Sequence, residues 1–161
     1  MHTSFTTTIL VDSTPEQAFA AINNARGWWS EEIAGATDQV GANFHYHFRD
    51  VHRCTIQIRE LVPGTRVVWH VLDNYFSFTS DEAEWKGTEL HFEITRRGEA
   101  TEVKFTHAGL VPEYECYNAC SEGWRTYIDG SLEALIATGK GRPNKGEAIT
   151  ASEQAAAGSA R

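Results

Sequence analysis

The hydrophobic period of this chain changes once, after Pro112, and that change restricts the fold more than any other feature. Downstream of it Tyr117, Cys120, Trp124, Ile128, Ser131 and Leu135 recur at intervals of three and four, with Tyr127 and Leu132 on the flanks. Such spacing puts side chains on one face of a helix, here one of about 20 residues. Glu113 and Glu115 fall in its first turn, where the helix dipole favours negative charge, and Gly139 with Lys140 forms a C-terminal stop.

Upstream the period is two. Phe5, Thr7, Ile9 and Val11 alternate with Thr6, Thr8 and Leu10, which predicts a first strand over residues 4–11. In "TPEQAFAAI", Thr14 is an N-cap, Pro15 takes the first helical position and Gln17 closes a capping box. A short helix is expected there, ending near Asn23 and Asn24, with Phe19 and Ile22 facing inward. Trp28 and Trp29 follow, then Gly35 and Gly41; this predicts a helical turn, a short strand and a tight turn, with one indole inside and the other outside. Three strand-like runs come next: Phe44, Tyr46, Phe48; Cys54, Ile56, Ile58; and Val67, Trp69, Val71. Pro63 and Gly64 in "VPGT" suit the central positions of a type II turn between the last two. Two further runs flank "RRGEA" and carry Leu90, Phe92, Ile94 and then Val103, Phe105, His107 on one face.

Sequential hairpins make an antiparallel sheet, and a helix with one apolar stripe must bury that stripe on it. The expected class is therefore α+β, a curved antiparallel sheet of about six to seven strands wrapped on a long C-terminal helix, with short helices after strand one. The 161 residues suit one domain, placed over residues 1–142. From residue 143 the Ala-, Gly- and Ser-rich sequence has no apolar period and reads as a flexible tail. A formal charge of -8 repels phosphate backbones, which argues against nucleic acid as a partner. No apolar run is long enough to span a membrane, and "MHTSFTTTILVD" lacks the regions of a signal peptide, so the expected location is cytoplasmic. Three cysteines without a C-x-x-C pair imply no disulfide framework.

The stretches "VDSTPEQAFAAINNARGWWS", "TEVKFTHAGLVPEYECYNAC" and "GWRTYIDGSLEALIATGKGRPN" stand in this order. With them the chain resembles the START-like helix-grip superfamily, and within it the branch named after the activator of the heat-shock-protein-90 ATPase. The likeness runs from about Ser4 to Asn144 and implies the helix-grip fold. Members include carriers of hydrophobic ligands, polyketide cyclases and aromatases, and a chaperone activator, so the resemblance implies several functions and supplies no catalytic motif.

Four features imitate chemistry. Cys116 and Cys120 have helical spacing, and free cysteine packs as a small hydrophobe, so Cys120 reads as part of the buried face and Cys116 as its margin, and neither as a metal or redox group. His45, His47 and His52 look like a metal trio. A three-residue loop over residues 49–51 gives the two strands equal facing, which turns His52 inward and His45 and His47 out to solvent. "ATGKG" follows a helix, whose carbonyl end repels anions, so it is a helix stop and not a phosphate loop. His107 is in phase with Val103 and Phe105 and points toward the space between sheet and helix; with Tyr117 or Tyr114 it could polarise a carbonyl.

The function expected from these readings is non-catalytic binding of a small hydrophobic or aromatic molecule between the sheet and the C-terminal helix. The expected lining is Trp29, Phe44, Tyr46, Ile56, Trp69, Phe92, Phe105, His107, Tyr117, Cys120 and Trp124, with His107, Tyr46 and Tyr117 supplying directional hydrogen bonds. No metal or cofactor is expected. The alternatives are a cyclase- or aromatase-like enzyme using His107 and Tyr117, and an interaction module whose partner is a chaperone, another protein or a second copy in a homodimer. Side chains filling the space would count against a ligand, and a void would count for one.

Overall fold

The computed structural model describes residues 4–145 and Glu153. Strand β1 (Phe5–Val11) leads to helices α1 (Pro15–Asn23) and α2 (Ala25–Trp28). Strands β2 (Asn43–Phe48), β3 (His52–Val62), β4 (Arg66–Phe76), β5 (Glu89–Arg97) and β6 (Ala100–Ala108) follow as consecutive antiparallel hairpins. The six-stranded order is β1-β6-β5-β4-β3-β2, so the first strand returns to pair with the last. The segment between Trp29 and Asn43, where a short strand was expected, contributes only isolated bridges, Ser30 with Asn144 and Ala34 with His45.

Local chemistry accounts for the junctions. The Thr14 hydroxyl accepts from the Gln17 N–H at 3.1 Å while the Gln17 side chain accepts from the Thr14 N–H at 2.8 Å, closing the capping box that starts α1. At the β3–β4 turn the Thr65 N–H reaches the Val62 carbonyl at 2.9 Å, and Gly64 takes the positive φ of 70° that a type II turn requires. Register shifts between Thr55 and Ile56 and between Ile58 and Glu60 mark irregularities of the β-bulge kind, which bend the strand that carries them.

Helix α3 (Tyr117–Trp124), a π-helical segment (Arg125–Leu132) and helix α4 (Glu133–Thr138) follow one another without a break and form the C-terminal helix. Its buried face includes Cys116, Cys120, Trp124, Ile128, Leu132 and Ile136, which is every fourth residue. In a regular α-helix such a row drifts by about 40° per step, so it would wind off the sheet. The π segment is under-wound, with i→i+5 hydrogen bonds, and that keeps the row aligned. The stripe expected from intervals of three and four is corrected accordingly: Tyr127 and Leu132 are buried, whereas Tyr117 and Leu135 are only partly so.

All five tryptophans are buried, none more than 4% exposed. The expectation that one of Trp28 and Trp29 faces out is corrected, because both indoles stack on Trp69, at centroid distances of 6.2 and 6.3 Å. Most of the segment expected as a tail lies outside the described residues. Within them Asn144 is buried and its N–H reaches the Trp29 carbonyl at 2.8 Å. No helix among the described residues is long and apolar enough to cross a membrane.

Candidate functional site

Between sheet and helix most of the space is filled by side chains. Phe44, Trp69, Phe92 and Phe105 project from β2, β4, β5 and β6 and meet Trp28, Trp29 and Trp124 in edge-to-face, stacked and tilted contacts, with centroid separations from 4.7 to 6.4 Å. Large rings from both layers leave no hollow there. Phe44, Ile56, Trp69, Phe92 and Phe105, expected to line a ligand space, are instead packed core, each 0% exposed.

His107 belongs to the same packed layer. The Trp124 indole N–H donates to its Nδ1 at 3.0 Å, and an indole nitrogen can only donate, so the imidazole proton sits on Nε2. Nε2 then donates to the Thr88 hydroxyl at 2.8 Å, which donates in turn to the Trp85 carbonyl at 2.6 Å. Both ring nitrogens are occupied, and burial, with a smaller contribution from His52, lowers the pKa from 6.5 to about 3. The expectation that His107 faces a ligand is corrected: it is a neutral clamp joining β6, the β4–β5 loop and the C-terminal helix. Tyr117, its expected partner, is half-buried and lies outside the hollow described next.

Among the described residues a hollow lies at the end of this space, where the β2–β3 turn and the far end of β4 meet α3. It has a volume of about 70 Å³, is open on one side, and is walled by Trp29, Tyr46, Phe48, Phe76, Trp85, Trp124 and Tyr127 with His52 and Val51. The C-terminal helix contributes the small residues Ala119, Cys120 and Gly123 beside its own Trp124 and Tyr127. A Cβ built on Gly123 would meet no atom within 4 Å. Phe78, 39% exposed, stands at the pocket beside the β4–β5 loop. That loop is fixed to the helix start: the Glu84 carboxylate accepts from the N–H groups of Glu115 and Cys116 at 2.8 and 3.0 Å, and the Glu115 carboxylate accepts from the Ser80 N–H at 2.9 Å.

Of the expected lining, Trp29, Tyr46, Cys120 and Trp124 are the residues that reach this pocket. Phe48, Phe76, Trp85, Tyr127 and His52 join them although they were not expected as lining. His52 nevertheless carried a signal, since the pairing of Phe48 with His52 across the residue 49–51 turn directs it inward, while His45 and His47 are exposed. Its Nε2 lies 2.9 Å from the Asn74 Oδ1. The Asn74 amide nitrogen donates to the Glu82 carbonyl at 3.3 Å, which fixes the amide orientation and puts the His52 proton on Nε2. Burial lowers its pKa to about 3, against an opposing pull from Asn74, so this ring is neutral as well. Tyr46 is held protonated well above the ordinary range, first by burial and then by Tyr127 and Glu153 nearby. The Tyr127 hydroxyl donates to Glu153 at 2.9 Å and accepts from the Asn144 amide at 3.3 Å.

The thiols are quiet. Cys54, Cys116 and Cys120 are free and buried. The Cys116 thiol is pushed up by its hydrogen bond with Cys120 and by burial, and Cys54 by burial, which leaves both without thiolate character. Among the described residues no group of three or more His, Cys, Asp or Glu is arranged to hold a metal ion.

The fold and the pocket can be set beside known proteins. The Aha1 dimer from Colwellia psychrerythraea, a solution structure, is 22% identical with a TM-score of 0.69, over 86% of this chain and 99% of that one. MLL2253 from Mesorhizobium loti is 14% identical with a TM-score of 0.65, over 82% and 96%. CalU16 from Micromonospora echinospora is 15% identical with a TM-score of 0.60, over 85% and 77%. At these identities the likeness is one of fold. No curated protein matches the sequence. The family model described as activator of Hsp90 ATPase homolog 1-like protein matches residues 12–137, most of the chain and every strand from β2 to β6 together with the helix that closes the pocket. The chain therefore belongs to the family of activator of Hsp90 ATPase homolog 1-like proteins.

Proposed function

We propose that this domain binds a small apolar or aromatic molecule, without catalysis, in the pocket between the β2–β3 end of the sheet and α3. The observation that carries the reading is Gly123. A glycine inside a helix is less stable than alanine by about 1 kcal/mol, yet this one stands opposite an aromatic wall with open space where its side chain would be. The hollow of about 70 Å³ is far smaller than the roughly 300 Å³ at the lower end of drug-sized sites. A ligand is therefore a single ring or short chain, with any remainder extending through the open side. The filled layer around Trp69 is what a pure interaction module would show throughout, and the hollow beside Gly123 keeps the ligand reading ahead of it. An enzyme built on His107 and Tyr117 has no support in this geometry, since neither residue reaches the pocket.

Trp29, Trp85 and Trp124 line the pocket, so their fluorescence reports occupancy. Titration with toluene or indane, followed by ligand-observed NMR, should give saturable binding to the wild type. Gly123→Leu, which fills the hollow from the helix side, should abolish it while the far-ultraviolet spectrum stays unchanged. Equal responses from the two proteins, or no saturation in the wild type, would overturn the proposal.

A further inference from the structure

We infer that the pocket selects aromatic molecules carrying one neutral hydrogen-bond donor, a phenolic O–H or a ring N–H, which the Nδ1 of His52 accepts. This deepens the proposed function and rests on it. The surroundings of His52 carry the argument. Its ring is enclosed by Tyr46, Phe76 and Trp85, at centroid distances of 5.1, 4.4 and 4.6 Å. The Asn74 contact fixes the proton on Nε2 and leaves Nδ1 with a lone pair. Nδ1 has no hydrogen-bond partner among the described residues, and it is not one of the sealed, unpartnered polar atoms of the core, so it keeps some accessible surface. The pocket is the hollow that His52 lines.

His107 supplies the contrast within the same molecule. There Trp124 delivers an indole N–H to an imidazole Nδ1, and the pair is buried and complete. At His52 the same acceptor, in the same tautomer and also among aromatic rings, lacks that donor. A ring bearing O–H or N–H would lie against Trp85 and Phe76 and complete His52 as Trp124 completes His107. A ligand lacking a donor leaves Nδ1 desolvated and unpaired, which weakens binding.

The test compares toluene with phenol, which are similar in size and differ in the donor, on protein labelled with nitrogen-15 in its histidines. Phenol should shift the His52 Nδ1 resonance as it saturates, and toluene should leave that resonance in place. In His52→Phe the ratio of phenol to toluene affinity should fall by about 2- to 10-fold, the value of one ordinary hydrogen bond. If neither compound saturates, the ligand reading fails and this inference falls with it. If both bind but phenol leaves Nδ1 unmoved, the inference alone fails. Should His52→Phe not fold, the wild-type resonance decides the matter.

Discussion

The two ends of the space between sheet and helix are built from the same elements and come out differently. Around Trp69, the helix faces the sheet with Trp124 and Ile128, and α2 adds Trp28; the result is a closely filled layer. Around His52 the helix presents the small residues Ala119, Cys120 and Gly123 together with Trp124 and Tyr127, and a pocket remains. The sheet contributes large aromatics at both ends, and the void lies where the helix offers Ala119, Cys120 and Gly123 among its large residues. The histidines follow the same division. His107 is closed on both nitrogens inside the filled layer, whereas His52 is closed on one nitrogen and borders the hollow.

The largest test of this contrast is Trp124→Ala. Removing a buried indole that touches Phe105, Trp29 and Trp85 should destabilise the domain by about 3–5 kcal/mol in urea denaturation. A loss below about 1 kcal/mol would mean that the layer is not filled as described.

Acid comes next. Burial holds the folded-state pKa of His107 and of His52 at about 3, below the roughly 6.5 of an unfolded histidine. Between these values the unfolded chain binds more protons than the folded one. Stability is therefore complete above about pH 6.5 and falls as the pH drops toward 3. At pH 5 the loss from His107 is about 2 kcal/mol relative to pH 7.5. His52 contributes in the same direction. Urea midpoints measured across this range should decline, and His52→Phe should reduce the slope while His107 maintains the rest. A flat profile from pH 7.5 to pH 5 would contradict neutral burial of both rings.

A subtler change, Trp124→Phe, keeps most of the ring contact and removes the N–H that His107 accepts. The orphaned Nδ1 should lower stability by about 1–3 kcal/mol. Its nitrogen-15 resonance should move toward that of an unbonded acceptor, the condition assigned to His52. Unchanged resonance and stability would remove the distinction between the two histidines.

Much of this contrast was legible in the sequence, but unevenly. The alternation in β1 to β6 and the capping box at Thr14 announced the sheet and α1, because each is a local pattern. The parity argument across residues 49–51 turned His52 inward for the same reason. The site was harder to read. Trp85 sits in "SDEAEWKGT", a loop with no period, and its depth depends on how Glu84 ties that loop to the helix start. Tyr127 was placed on a flank since a regular α-helix was assumed, and only the π segment brings it round to the pocket. His107 shared the facing of Phe105, but facing cannot tell a filled layer from an open one. That distinction rests on side chains arriving from elsewhere in the chain, here Trp28, Trp85 and Trp124.

Gly123→Ala is the smallest change and bears most directly on why the two ends differ. If the helix tolerates glycine there only because the space opposite is kept open, a methyl group enters without a clash, since nothing lies within 4 Å of the added Cβ. Reduced backbone freedom in the unfolded chain and the better helix propensity of alanine should then raise stability by about 0.5–1 kcal/mol. The pocket would shrink by a methyl group, so toluene affinity should fall while the fold gains. Gly141 provides the opposite case, since an added Cβ there would overlap the Gly27 carbonyl oxygen and crowd the Ser131 carbonyl, both of them backbone atoms. Gly141→Ala should therefore lose stability under the same conditions. Opposite signs for these two substitutions follow from open space at Gly123 and backbone crowding at Gly141, and a loss of stability in Gly123→Ala would show that the space beside Gly123 is not open.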